Sequence, residues 1–149
     1  VLDVGCGDGR ALLLAAEEFG ASGVGYEYDE ARAEETASVI RSRGLEGRVE
    51  IVCRNAMEVI DSALADGITV VFLYLSGRGL RKVLRYLRMN KSSLRVITYV
   101  YSFQGLSEEE LRSNLQALAK THVHACKANG LDWIRGGIWK RVKKQGLGI

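Results

Sequence analysis

Three glycines at alternate positions, Gly5, Gly7 and Gly9, follow the short run Val1-Leu2-Asp3-Val4 and precede a helix-forming stretch that opens at Arg10. Glycine accepts left-handed backbone and close approach by other atoms, so this spacing reads as a strand turning sharply into a helix. Such a unit favours a parallel sheet, because the next strand reaches its neighbour by a helical crossover. The amides at the start of the helix favour an anionic ligand group. A dinucleotide fingerprint needs Gly or Ala at its last position for close helix packing. Counted from Gly5 that position is Arg10, which is far too large.

The rest of the chain repeats the alternation. After Val1 to Val4, a helix is expected from about Arg10 to Phe19 and a second strand over Gly23 to Tyr28. Asp29 caps a helix running to about Arg43, which Gly44 ends. Val49 to Cys53 is a third strand, with a short helix after Asn55. Ile68 to Leu75 is apolar apart from Thr69, as in a central strand buried on both faces. From Arg78 to Met89, Leu80, Val83, Leu84 and Leu87 share one helical face, opposite Arg78, Arg81, Lys82, Arg85 and Arg88. Leu94 to Val100 is a fifth strand. Ser107 and Glu110 form a capping box for a helix turning Leu111, Leu115 and Leu118 inward. Thr121 to Lys127 and Gly137 to Lys143 read as a closing strand pair, most simply antiparallel. The expected fold is α/β: a doubly wound, mostly parallel sheet with helices on both faces. No repeat or linker divides the 149 residues, so they form a single domain.

VLDVGCGDG, an acidic residue followed by GxGxG, resembles the first motif of class I S-adenosylmethionine-dependent methyltransferases. The resemblance continues through a second strand ending in Glu27, a third followed by Asn55-Ala56, and the buried fourth strand. It implies S-adenosylmethionine as cofactor. By this resemblance Asp3 would hold the methionine ammonium, directly or through water. Gly5, Cys6, Gly7 and Gly9 would give backbone room and amides around methionine and ribose. Glu27 would accept both ribose hydroxyls, and Tyr28 would lie against the adenine. Asn55, where the family commonly has Asp, would accept from the adenine amino group and donate to a ring nitrogen, with Ala56 beside it. Replacing Glu27 is expected to cost cofactor affinity and to leave folding almost unchanged. Cys6 reads as a small turn residue and not as a nucleophile.

The acceptor side is read from the end of the fourth strand, Val70-Val71-Phe72-Leu73-Tyr74-Leu75-Ser76. Methyltransferases of exocyclic base nitrogens carry an Asn/Asp-Pro-Pro-aromatic motif there, and this chain has no proline. VVFLYL, the basic helix and LRVITYVYSF are similar to small seven-stranded protein lysine methyltransferases related to the enzyme that modifies the c subunit of ATP synthase. That implies a protein lysine as acceptor, with Tyr74 closing the cofactor site and, with Leu75 and Ser76, bordering the transfer site. Small-molecule or RNA methylation is the alternative. A further alternative is an inactive cofactor-binding module that holds an acidic partner. No catalytic residue is assigned.

The remaining features carry less. The basic stripe would suit an acidic protein or a nucleic-acid backbone, although such stripes are usually solvated. Lys140, Arg141, Lys143 and Lys144 make a basic tail of the same ambiguity. His122, His124 and Cys126 share a strand face, but the first and third stand about 13 Å apart, too far for one ion; no metal is expected. No apolar run approaches the roughly 18 residues of a membrane span. Three unpaired-looking cysteines suit a reducing intracellular compartment, cytoplasmic by default or mitochondrial if a targeting signal lies upstream. The chain opens inside a strand without an initiator methionine, so N-terminal helices are expected to be missing.

Overall fold

The computed structural model of the protein describes residues 1–65, 67–89, 94–99 and 122–126. Its elements are β1 (Leu2–Val4), α1 (Arg10–Phe19), β2 (Gly23–Glu27), α2 (Glu30–Ser42), β3 (Val49–Cys53), α3 (Ala56–Ala65), β4 (Val70–Leu73), α4 (Gly77–Met89), β5 (Arg95–Tyr99) and β6 (His122–Cys126). The strands form one sheet in the order β3-β2-β1-β4-β5-β6, and each neighbouring pair is parallel. The winding runs outward from β1 to β3, then returns to β4 and proceeds the other way. β1 and β4 therefore flank a switch point, where an open α/β sheet leaves a crevice beyond its carboxyl ends.

Side-chain alternation along the strands sends two apolar sets to opposite faces. Leu2, Val4, Val71, Leu73, Leu94 and Val96 pack with Ile60 and Leu64 of α3 and Leu80, Val83, Leu84 and Leu87 of α4. On the other face, Cys6 and Val49 pack with Leu12, Leu13 and Ala16 of α1 and Ile40 of α2. Gly25 of β2 lets α1 lie this close: a Cβ there would stand 2.7 Å from both Cys6 Sγ and Leu12 Cδ1.

The helix ends follow the sequence signals. Asp29 caps α2 by accepting from the Arg32 amide at 3.0 Å, and Gly44 takes the left-handed turn beyond it at φ 65°. Arg78, Arg81, Lys82 and Arg85 of α4 are exposed while its leucine and valine stripe is buried.

β4 differs from expectation. It is shorter than the apolar run, because the chain leaves the ladder after Leu73, and Tyr74 is 56% exposed instead of packed in the core. The first strand of the expected closing pair exists as β6, parallel to β5. Its partner at 137–143, the capping box at 107–110 with its helix, and the basic tail lie outside the described residues.

Candidate active site

The glycine turn emerges from β1 at the switch point, with three consecutive left-handed glycines: Gly5 at φ 75°, Gly7 at 56° and Gly9 at 68°. Its amides are not left pointing outward. Those of Gly5 and Cys6 both donate to the Tyr26 carbonyl, at 2.9 and 3.0 Å, and that of Gly9 donates to the Cys6 carbonyl at 2.9 Å. The Gly7 amide donates to Glu27 Oε2 at 3.0 Å. In this structure the amides of all four residues thus have partners within the protein. A tight turn satisfies its own buried donors.

Glu27, at the carboxyl end of β2, is 5% exposed. Its Oε1 accepts from the amides of Tyr28 and Asp29, at 2.9 and 3.1 Å. The carboxylate thus ties β2, the entry to α2 and the glycine turn together. Three of its roughly four lone-pair sites are in use, leaving one on Oε2, so a diol would bind there by sharing sites with these amides.

Asp3 sits in β1 and is 3% exposed. Burial, reinforced by the charges of Asp8 and Glu27, pushes its carboxyl up to about 7. A nearby cation, or hydrogen bonds to its oxygens, would favour the ionised form. Cys6 is pushed up to about 12, mainly by burial, so its thiol stays protonated and the turn-residue reading suits it. Asp8 pairs with Arg10 at the exposed rim, and its hydrogen bond to Arg10 holds its carboxyl below the ordinary range. Among the described residues no group of three or more acidic, histidine or cysteine side chains is placed to hold a metal ion.

On the far side of the turn, Tyr28 is 80% exposed. Asn55 is exposed too, but its amide is already used at the start of α3. Oδ1 accepts from the Met57 amide at 3.1 Å, and Nδ2 donates to Glu58 Oε1 at 3.2 Å. Ala56 beside it is buried. At the end of β4, Leu75 lies against the turn: a Cβ on Gly5 would stand 3.3 Å from its Cδ2. Ser76 Oγ accepts from the Gly79 amide at 3.3 Å and caps α4. Tyr74 meets Tyr99 edge-to-face, with ring centres 5.1 Å apart.

Two residues of this neighbourhood escaped the sequence reading. Thr36 of α2 is 2% exposed and donates from Oγ1 to the Gly7 carbonyl at 2.8 Å. A Cβ on Gly9 would stand 2.5 Å from its methyl group. The available signal was a threonine among the inward positions Ala33 and Ile40, at helical spacing. Tyr99 carries no signal in the sequence beyond a strand position; that it ends β5 beside β4 follows from the register, in which Leu73 pairs with Thr98.

The profile of the methyltransferase domain family matches residues 1–90. The chain is 32% identical over 112 residues to a protein-lysine N-methyltransferase of Saccharolobus islandicus (strain REY15A), covering 74% of this chain and 68% of that protein. It is also similar, at 20% identity and a TM-score of 0.48, to the crystal structure of the [4+2]-cyclase SpnF. That match covers 78% of this chain, which spans 50% of the length of that one.

Proposed function

The chain therefore belongs to the methyltransferase domain family and is a methyltransferase; we propose that its methyl donor is S-adenosylmethionine and its acceptor a protein lysine amine. The observation that carries the donor reading is Asp3, a buried carboxylate beside two further acidic groups at the switch-point crevice. The cofactor's ammonium and sulfonium are the kind of charge that such a group needs. In this reading Asp3 binds the ammonium, Glu27 accepts the ribose hydroxyls, and the turn Gly5-Cys6-Gly7-Asp8-Gly9 shapes the space between. Tyr28, Asn55 and Ala56 surround the adenine, Asn55 giving up or sharing its capping bonds. The cofactor supplies a methyl carbon made electrophilic by positive sulfur.

The lysine reading is supported by the likeness to the protein-lysine N-methyltransferase and by the acceptor end of β4. Tyr74, Leu75 and Ser76 offer no acid or base there, which suits a nucleophile that needs only to arrive neutral and aligned. Removing the proton of a lysine with its reference pKa of about 10.4 costs roughly 4 to 5 kcal/mol at pH 7. Desolvation beside a cationic cofactor offsets part of that, and alignment contributes on the order of 7 to 11 kcal/mol.

The test uses the full-length protein with radiolabelled S-adenosylmethionine and a cell extract separated into protein, nucleic-acid and small-molecule fractions. Label should enter protein and return as methyl-lysine after acid hydrolysis, with a rate rising from about pH 7 to 9. Label confined to RNA or small molecules would replace the lysine reading. Cofactor binding with no transfer at all would instead favour a binding module that uses the exposed basic face of α4.

A further inference from the structure

At the carboxyl ends of β4 and β5 the sheet presents an aromatic corner. Tyr74 stands edge-to-face with Tyr99, ring centres 5.1 Å apart, and Phe72 lies behind Tyr99 at 6.4 Å. Tyr99 is held in the strand and half-buried, whereas more than half of Tyr74 is open to solvent. The corner borders the crevice directly. Leu75, next in sequence to Tyr74, packs on Gly5. With Arg10 paired to Asp8, buried Glu27 and the partly protonated Asp3 leave the turn with an excess of negative charge.

A rigid aromatic face beside an electronegative crevice attracts a weakly hydrated cation on an apolar stem. We propose that Tyr74 and Tyr99 form a binding wall for an alkylammonium side chain, that of the methyl acceptor, and are not part of the cofactor pocket. This rests on the methyltransferase reading above and deepens it. The T-shaped contact holds the ring of Tyr74 while more than half of the residue stays open to solvent, so little side-chain freedom is lost on binding. Methylation keeps the nitrogen cationic while stripping its hydration. The wall therefore holds a methylated ammonium better than an unmethylated one.

The experiment is saturation-transfer NMR on the full-length protein saturated with S-adenosylhomocysteine. The probes are Nα-acetyl-Nε-trimethyl-lysine methylamide and its neutral isostere ending in a tert-butyl group. Strong saturation of the trimethylammonium methyls is expected, with a several-fold weaker effect on the neutral probe. The signal should fall several-fold in Tyr74→Ala and Tyr99→Ala and persist in Tyr74→Phe, while the dissociation constant for S-adenosylhomocysteine stays within twofold in every variant. Tyr74 is exposed, so Tyr74→Ala keeps the test intact if Tyr99→Ala does not fold. Equal saturation of the neutral probe, an unchanged signal in Tyr74→Ala, or a parallel loss of S-adenosylhomocysteine affinity would each overturn the proposal. The two readings fail separately. Label found only in RNA, with Tyr74-dependent probe binding intact, sinks the lysine acceptor and leaves the cation site. Methyl-lysine formed equally well by Tyr74→Ala, with the same KM for the acceptor, does the reverse.

Discussion

Asp3 couples folding, cofactor binding and pH in a single carboxyl group. Its folded value of about 7 lies above the value of about 3.9 for an unfolded chain, so the folded state holds this proton more tightly. Its contribution to stability is therefore fully present below about pH 4, is lost as pH rises to about 7, and is flat beyond. A cation in the crevice reverses the preference by favouring the ionised form. Affinity for S-adenosylhomocysteine should accordingly rise with pH through about 7 and then level, with proton release seen by calorimetry in buffers of different ionisation enthalpy. Asp3→Asn should abolish that pH slope, weaken binding about tenfold or more, and stabilise the ligand-free protein at pH 8. Glu27 behaves differently, because its carboxylate accepts three backbone amides. Glu27→Ala should cost at least about tenfold in cofactor affinity. It should also lower stability by about 1 to 3 kcal/mol, the usual cost of orphaned buried donors. An unchanged melting temperature would mean that water replaces the carboxylate on those amides.

Among the elements, α2 has more influence on the site than its sequence suggests. It contributes no expected ligand residue, yet its Thr36 presses on the Gly9 end of the turn and holds the Gly7 carbonyl. Thr36→Val keeps the shape and removes the hydrogen bond. It should cost about 0.5 to 1.5 kcal/mol in stability and weaken S-adenosylhomocysteine binding, and Thr36→Ser should restore most of the affinity. If Val binds as tightly as Thr, the turn needs no tether from α2. The helix α4 shows the opposite relation, its buried and basic faces falling where a 3.6-residue period puts them. Arg85 also spans its own surface, lying 4.6 Å over the Tyr86 ring and donating to its hydroxyl at 2.6 Å. Tyr86 in turn donates to the Met57 carbonyl at 3.0 Å and ties α4 to α3.

Across the molecule, the two helical layers divide the work. The α3 and α4 face carries the larger continuous core, while the α1 and α2 face builds the turn and holds Glu27 and Thr36. A cavity in the first layer should thus reach the second only through global stability. Leu87→Ala, at a fully buried position, should cost about 2 to 5 kcal/mol and leave the cofactor affinity of the folded protein unchanged. Added S-adenosylhomocysteine should recover part of the melting temperature by binding the native state alone. A large affinity loss in this variant would show that the two layers are mechanically coupled.

Local chemistry made much of this legible in the chain. Alternating glycines demand a left-handed turn, a capping aspartate starts a helix, and a leucine-valine stripe at helical spacing must be buried; none of these needs a distant partner. The strand succession follows from the same short-range rules, whereas Asp3 within β1 and Glu27 at the end of β2 stood out only through the resemblance to a known motif. What lay beyond them was set by contacts between residues far apart in sequence. Thr36 and Gly7 are 29 positions apart, and Tyr74 and Tyr99 are neighbours only because β4 and β5 pair in one particular register. The spending of the turn's amides on Tyr26 and Glu27, and the departure of Tyr74 from the core, belong to the same class. Hydrogen-bond partners and solvent exposure are properties of the packed sheet, and no periodicity in the chain encodes which donor a carbonyl will receive.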